Sequence, residues 1–492
     1  MPKSKRSGKR RFLLKSLAIL FAVCVVAAIA IGAKLFAVSQ RTAWPTIDYI
    51  ELANRDAIAL AESDRAWPLY QTALNAMGEI DKELLDVVIR NRREAPDRSN
   101  AIELVRSNTL ALQSASDAGD RPAMGYLAVG ASPRGMAAPF PWFLSARFDR
   151  FDDIINLARL QAADALLAAV EGDAKRASQR LIDALRLADR TADIPETLGQ
   201  LLRNAIGAMT VKAILSILTL QPDLLDDAFL ARIDAALAEM ATHSADRFLR
   251  FDRYSVDDLL QRTFTNDGDG SGQMTLAGMR YLAGFADGQA PIPTDRVLGG
   301  ALVALASDRA EIQRLVDEAF EEAIAIASSD YSDAAPPALV VERIQMESVG
   351  FPPDAGRVLI GAVLPPVTKA ARSLPLWAHY HMAATAAIAI HRHRLRAGEW
   401  PASLAAIDAS LLARTPRDLY SGDTLHYQVS EDGPLLYSVG VDGDDDRGRH
   451  APKAHQWRPL DERPIRVAAR PDLFDGDWVF LPAPPTEDDD FD

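Results

Sequence analysis

From Leu17 to Ala33 the chain reads LAILFAVCVVAAIAIGA, a run with no polar side chain. Lys34 interrupts it once and Leu35–Val38 extend it, giving roughly 22 residues, enough for a helix to cross a hydrocarbon core of about 30 Å while the lysine reaches the interface. Seven basic residues and no acid precede the run (Lys3, Lys5, Arg6, Lys9, Arg10, Arg11, Lys15). Positive charge of this kind stays on the cytoplasmic side. The order predicts a basic cytoplasmic tail over 1–15, one transmembrane helix over 16–38, and all later residues outside the cytoplasm, at the cell (inner) membrane. A cleaved signal peptide shares the basic start and the apolar run, and Ala37-Val38-Ser39 offers it a small-residue site. Its apolar region should span about 7–15 residues; this one is longer, which favours the anchor. Both readings export the remainder.

Charge narrows the partners. Removing those seven residues and Lys34 from 54 basic residues leaves 46 against 68 acids, so the exported part carries −22 although the whole chain carries −14. Such a body repels nucleic acid and anionic lipid and attracts cations. Cys24 is the only cysteine and lies inside the apolar run, so the exported part forms no internal disulfide and depends on packing, and on metal if one binds. Arg outnumbers Lys 44 to 10, the pattern of a GC-rich bacterial genome.

Residues 39–372 carry helical periodicity. Leu160, Ala163, Leu167, Val170 and then Ala177, Leu181, Leu185, Ala188 recur at three and four, and Glu171-Gly172-Asp173 between them supplies a left-handed stop and a helix cap. This predicts a mostly α protein, an α-helical bundle or solenoid-like body. Residues 131–143 (ASPRGMAAPFPWF) break the pattern and read as a connector pinned by Phe140, Trp142 and Phe143, or as a binding loop. Beyond 373 the character changes to a small α+β module over 373–481: a helix from Leu376 to Ala397, then strands Thr424–Val429, Leu435–Val439 and Trp478–Leu481. An acidic tail follows over 482–492.

Two loops have the composition of calcium sites. Residues 267–275 (DGDGSGQMT) agree with nine positions of an EF-hand loop. Asp267, Asp269 and Ser271 fall at ligand positions 1, 3 and 5, Gly272 at the turn, the Gln273 carbonyl at 7 and Thr275 at 9. Gly278 stands at position 12, where a bidentate Glu is expected, which lowers the expected affinity towards the roughly 10⁻⁴–10⁻³ M of extracellular modules.

The second loop belongs to a stretch, Ala384 to Asp446, that resembles the C-terminal part of the major pseudopilins of type II secretion systems. The resemblance rests on Gly398-Glu399-Trp400-Pro401 ending a helix, then Ser403-Leu404, Pro416-Arg417-Asp418 before Gly422 and Tyr427, and Tyr437-Ser438-Val439-Gly440-Val441-Asp442-Gly443. The resemblance implies a calcium ion holding the small sheet, with Asp442 a ligand and the Val439 carbonyl a second. Asp444 and Asp446 join them by alternate spacing. Leu419-Tyr420-Ser421 departs from the family's pattern, as do the acids bunched directly after Gly443. At the N-terminus Gly8 is followed by Lys9 and no Glu lies in the apolar helix, so processing and pilus assembly are not implied. For both loops the alternative is a solvated acidic turn without an ion.

No nucleophile elbow, zincin, P-loop or dinucleotide motif occurs, and no Asp/Glu pair stands out as acid and base. His379, His381, His391 and His393 pair at i, i+2, which sends each pair to different helix faces, and read as solvated or core-edge residues. The sequence predicts a non-enzymatic scaffold or protein-binding protein, anchored in the membrane, with structural calcium and an envelope protein as partner. An exported hydrolase whose carboxylates meet only in the fold and a secretion-system accessory are the alternatives.

Overall fold

The computed structural model describes residues 6–131, 140–146, 148–195, 197–240, 245–268, 270–279, 298–328, 339–348, 354–440, 442–450 and 476–483, and of 6–22 the backbone only. The described chain is mostly helical, with one small antiparallel sheet. Helix α1 (Arg6–Ser39) contains the apolar run.

The body's larger core is built on a run of consecutive helices: α7 (Phe151–Val170), α8 (Ala174–Thr191), α9 (Thr197–Leu220) and α10 (Asp227–Met240). Each follows from its local sequence. At the α7–α8 turn Gly172 takes φ +79° and Asp173 caps α8 by accepting from the Arg176 amide at 3.0 Å, the left-handed stop and side-chain cap that the tripeptide suggests. Helices α3 (Trp67–Ala76) and α6 (Thr109–Gly119) cover one side. On the outer side of α7, α4 (Lys82–Ile89) and α5 (Arg98–Ser107) close a satellite cluster around Leu85, Leu160 and Leu167. Between α6, α7 and α8, Arg180 bridges Asp164 (2.8 Å) and Asp183 (3.1 Å) and donates to the Leu112 carbonyl. Burial pushes the Asp183 carboxyl up.

A second core gathers α11 (Ala245–Thr263), α12 (Leu298–Leu305), α13 (Arg309–Ser328), α14 (Leu339–Ser348) and α15 (Ala355–Val363), and takes in Val38 from the end of α1. Helix α16 (Pro365–Ala397) joins the two cores. Val367, Ala370 and Ala371 belong to the second, and Trp377 to Ile390 to the first. The helix expected from Leu376 thus begins eleven residues earlier, with Pro375 in its interior. A proline costs one backbone hydrogen bond and normally ends a helix. Here both flanks are held by packing, and Trp377 sits so closely on Gly207 that a Cβ there would lie 2.4 Å from the indole. Tertiary contact overrides local propensity, and Gly398 at φ +82° ends the helix.

Strands β1 (His426–Ser430), β2 (Gly433–Ser438) and β3 (Trp478–Leu481) form the sheet in that order, antiparallel throughout. It shares the body's core. Leu436, Trp478, Phe480 and Leu481 pack in the same cluster as α7–α10, Trp478 stacks on Tyr380 at 5.9 Å, and the Ala483 amide donates to Thr219 of α9 at 2.7 Å. The expected boundary at 372/373 falls inside α16, and the core runs across it. His379 and His391 are more deeply placed than expected, while His381 and His393 lie half-buried at the core edge. His379 is fully buried among Tyr420, Trp478 and Phe480. His391 is buried edge-on to Trp400, and burial pushes its ring down to about 4. Neighbouring aromatics from beyond the helix, Trp400, Tyr420, Trp478 and Phe480, account for the correction.

One buried node ties distant segments together. Asp258 and Arg262 of α11 pair at 2.8 Å, almost without exposure. Asp258 Oδ2 accepts from the Phe143 amide (2.8 Å), Arg262 donates to the Pro141 carbonyl (2.8 Å), and its guanidinium lies 5.1 Å from the Trp142 ring centre. Gln261 clamps the segment beyond α1, accepting from the Thr46 and Ile47 amides at 3.1 Å and donating to the Ile47 carbonyl at 2.8 Å. Removing one partner of a buried pair leaves an uncompensated charge, so Asp258→Ala should cost about 3–5 kcal/mol, while replacing both with apolar residues (Asp258→Leu with Arg262→Met) should recover much of that loss. Urea unfolding of the three proteins checks this; a single variant as stable as the parent would show the node to be dispensable.

Candidate cation-binding loops

The first loop joins α11 to a single helical turn over 276–279. Phe264 and Met274 make an isolated antiparallel bridge, in which the Thr265 amide donates to the Gln273 carbonyl (2.9 Å) and the Thr275 amide to the Thr263 carbonyl (2.8 Å). Several expected ligand atoms are thereby spoken for. The Gln273 carbonyl is in the bridge, and the buried Thr275 hydroxyl donates to Thr263 and accepts from the Gly278 amide at 2.9 Å, opening the helical turn. Asp267 is exposed, Ser271 is half-buried, and Asp269 lies outside the described residues. Both glycines have packing reasons. A Cβ on Gly272 would lie 1.8 Å from the Thr265 carbonyl oxygen, and one on Gly278 2.6 Å from the Thr263 Cα. The missing acid at position 12 therefore has a physical cause: the end of α11 presses against Gly278 and leaves no room for any side chain.

The second loop leaves β2 and returns alongside the start of β3. Gly440, Gly443, Arg447 and Gly448 all take positive φ, so the chain coils tightly instead of continuing the ladder. The turn brings Asp442, Asp444 and Asp446 together, with one carboxylate oxygen from each within 4.8 Å of the others. Oxygens that share a calcium at 2.3–2.6 Å lie at most about 5 Å apart, so the cluster has the right size. Asp445, between them, faces the sheet, where it accepts from the Tyr437 hydroxyl (3.1 Å) and the Arg447 amide (2.8 Å). These partners, the amide first, hold its carboxyl below the usual range.

Buried carboxylates around the cluster are of two kinds. Asp418 accepts from the Tyr420 and Val439 amides and the Ser438 hydroxyl, each at 2.8 Å. Asp477 accepts from the Gly448 amide at 2.6 Å and the Asp446 amide at 3.4 Å. These two stitch the loop to the sheet, and Val439 enters through the amide that Asp418 holds. Asp442 differs. Its Oδ2 accepts from the Gly476 amide at 2.9 Å, but its Oδ1 is buried without a hydrogen-bond donor, as is Asp446 Oδ2. Asp446 Oδ1 pairs with Arg449 at 2.6 Å. Burial, with the charges of Asp444 and Asp446 adding to it, pushes the Asp442 carboxyl up to about 6.

Sequence reasoning selects Asp442, Asp444 and Asp446 and misses the supports. Asp418 had a local signal, since an Asp accepting from the amide two residues on is the usual Asx turn. Asp477 had none, because its partners come from 446–448. Comparison with protein-family models, curated proteins and solved structures finds no match for this chain.

Completing the EF-hand pattern tests the first loop. Gly278→Glu should destabilise by about 1–3 kcal/mol or more through overpacking, and should not enlarge any calcium-dependent shift in melting temperature. A variant that melts like the parent and gains a calcium response would restore 267–278 as a working EF-hand loop.

Proposed function

We propose that the protein is a membrane-anchored extracytoplasmic scaffold or protein-binding protein whose C-terminal acidic loop is fastened by a structural calcium ion. The observation that carries the reading is the surface of α1. Every side chain from Val23 to Lys34 is exposed, Val23 (59%), Val26 (66%), Ile29 (67%) and Ile31 (59%) among them, and an apolar segment bare on every side needs lipid around it. Helix α9 is comparably apolar over Gly199–Leu220, but 67% of it is buried in the body, as befits a core helix. The basic residues before the apolar run of α1 favour a cytoplasmic N-terminus. A body of stacked helices, clamped to the exit of α1 through Val38 and Gln261, suits a protein that holds an envelope partner near the membrane. Resemblance to pseudopilins then concerns only the order of helix, sheet and acidic loop.

Calcium fits the loop on chemical grounds. Two buried carboxylate oxygens lack donors, and a buried acceptor left unmatched is costly unless it is protonated or meets a cation. The pH dependence has a definite sign. Asp442 holds its proton more tightly folded (about 6) than unfolded (about 3.9). Without metal, its contribution to stability is full below about pH 4 and is lost as pH rises through about 6. Calcium needs the ionised form, so its stabilising effect grows over the same interval. In EGTA the melting temperature should fall between those pH values. At pH 7.5 calcium at ten times Kd should add on the order of 1.4 kcal/mol, and Asp444→Ala should abolish the rise. A calcium response equal at pH 4.5 and 7.5, or unchanged in Asp444→Ala, would place the ion elsewhere.

Topology is tested separately. The full chain should stay in the membrane pellet after alkaline carbonate washing, and its body should be protected from protease in inverted vesicles. A soluble body whose N-terminus begins near residue 40 would replace the anchor with a cleaved leader.

A further inference from the structure

Helices α9 and α16 run side by side in the same direction: Asn204 donates to the Ser373 hydroxyl at 2.9 Å, and three residues on Gly207 lies under Trp377. Beside that seam, under α4 and α7, is a cavity of about 430 Å³. Its volume lies at the low end of the roughly 300–1,000 Å³ of small-molecule sites. It exists because α9 presents Ala205 and Ala208 there, where larger side chains would fill the space. Its walls are mainly apolar, with Leu201, Met209 and Leu376 beside the buried rings of Trp377 and Tyr380.

The polar part of the lining has a definite sign. Arg90, Arg159 and Lys212 reach the cavity from three different helix segments, against one carboxylate, Asp86, which lies 3.6 Å from Arg90. Arg159 hydrogen-bonds the Asn156 amide oxygen at 3.2 Å, an uncharged partner. Asn204, itself buried, lends an amide at the same wall. In an exported body of net charge −22 by the residue count above, three cations around one apolar slot run against the general trend. Long-range attraction cannot bring an anion to such a body, so affinity has to arise inside the slot, from desolvated charge contacts and apolar burial.

We propose that this slot binds a small amphiphilic anion, a single apolar chain ending in a carboxylate, with the headgroup at Arg159 and Lys212 and the chain against Met209, Leu376 and Trp377. The site is independent of the anchor and of the calcium loop. It would give the scaffold a ligand-responsive seam, since α16 joins both cores.

The probe is octanoate, titrated calorimetrically into the full chain in nanodiscs with empty nanodiscs subtracted. Acetate tests the headgroup alone, and octyltrimethylammonium tests the chain with the opposite charge. Octanoate should bind at least tenfold more tightly than either. Arg159→Gln should weaken it at least tenfold, and Ala208→Trp should abolish it by filling the slot. Circular dichroism establishes that each variant folds; should Ala208→Trp fail to, the half-exposed Arg159→Gln still decides. No octanoate binding, equal binding of octyltrimethylammonium, or undiminished binding in a folded variant would each overturn the proposal.

Discussion

The buried pairing of Asp258 with Arg262 is the contact on which the geometry of the whole chain turns. Two charges are taken out of water at 2.8 Å and nearly sealed, an arrangement stable only where the remaining donors and acceptors are also satisfied. They are satisfied by backbone from far away. The Phe143 amide and Pro141 carbonyl come from the connector before α7, and Gln261, one residue from the pair, takes the amides of Thr46 and Ile47 just beyond α1. The desolvated pair thus fixes two loops that carry little periodicity of their own. It also sets how the body leaves the helix we propose as its anchor, because 46–47 cannot shift without breaking three hydrogen bonds at Gln261.

Legibility in the sequence follows how local each cause is. The α7–α8 hairpin needs only Gly172 and Asp173, and both act within four residues, so the turn is readable. Strand β3 is likewise announced by its own Trp478–Leu481. The start of α16 is not, because Pro375 sends the correct local signal for a helix end while the decisive contact, Trp377 on Gly207, spans 170 residues of sequence. The same holds for His379, whose aromatic surroundings come from 420, 478 and 480. In the first acidic loop the spacing is legible but its cause is not: Gly272 and Gly278 match or break an EF-hand pattern on paper, whereas in space both are set by the approach of Thr263 and Thr265.

For the second loop the sequence places the acids and leaves their division of labour unseen. Asp418 and Asp477 are among the most buried acids of the described residues, yet each is surrounded by amide or hydroxyl donors. Such carboxylates are structural, since hydrogen bonds replace their lost water. Asp442 and Asp446 keep one oxygen each without a donor beside an exposed third acid. Burial, with the charges of Asp444 and Asp446 adding to it, raises the proton affinity of Asp442. The contrast between satisfied and unsatisfied carboxylates, and not the number of acids, separates this turn from the many other acidic turns of a −14 chain.

Small residues on α9 have two opposite effects within one helical turn. At Gly207 the lost side chain lets α16 close in until the indole touches backbone, which tightens the seam and holds α16 on course past its proline. At Ala205 and Ala208 the same economy of side chain leaves space that no neighbour fills, because α4 and α7 are kept back by their own cluster around Leu85, Leu160 and Leu167. The space opens to solvent past the exposed Ala205, and it forgoes the packing that larger apolar residues there would give. Arg90, Arg159 and Lys212 stand around it, and Arg90 pairs with Asp86. The amphiphilic anion we propose would match both the apolar wall and the cations around it.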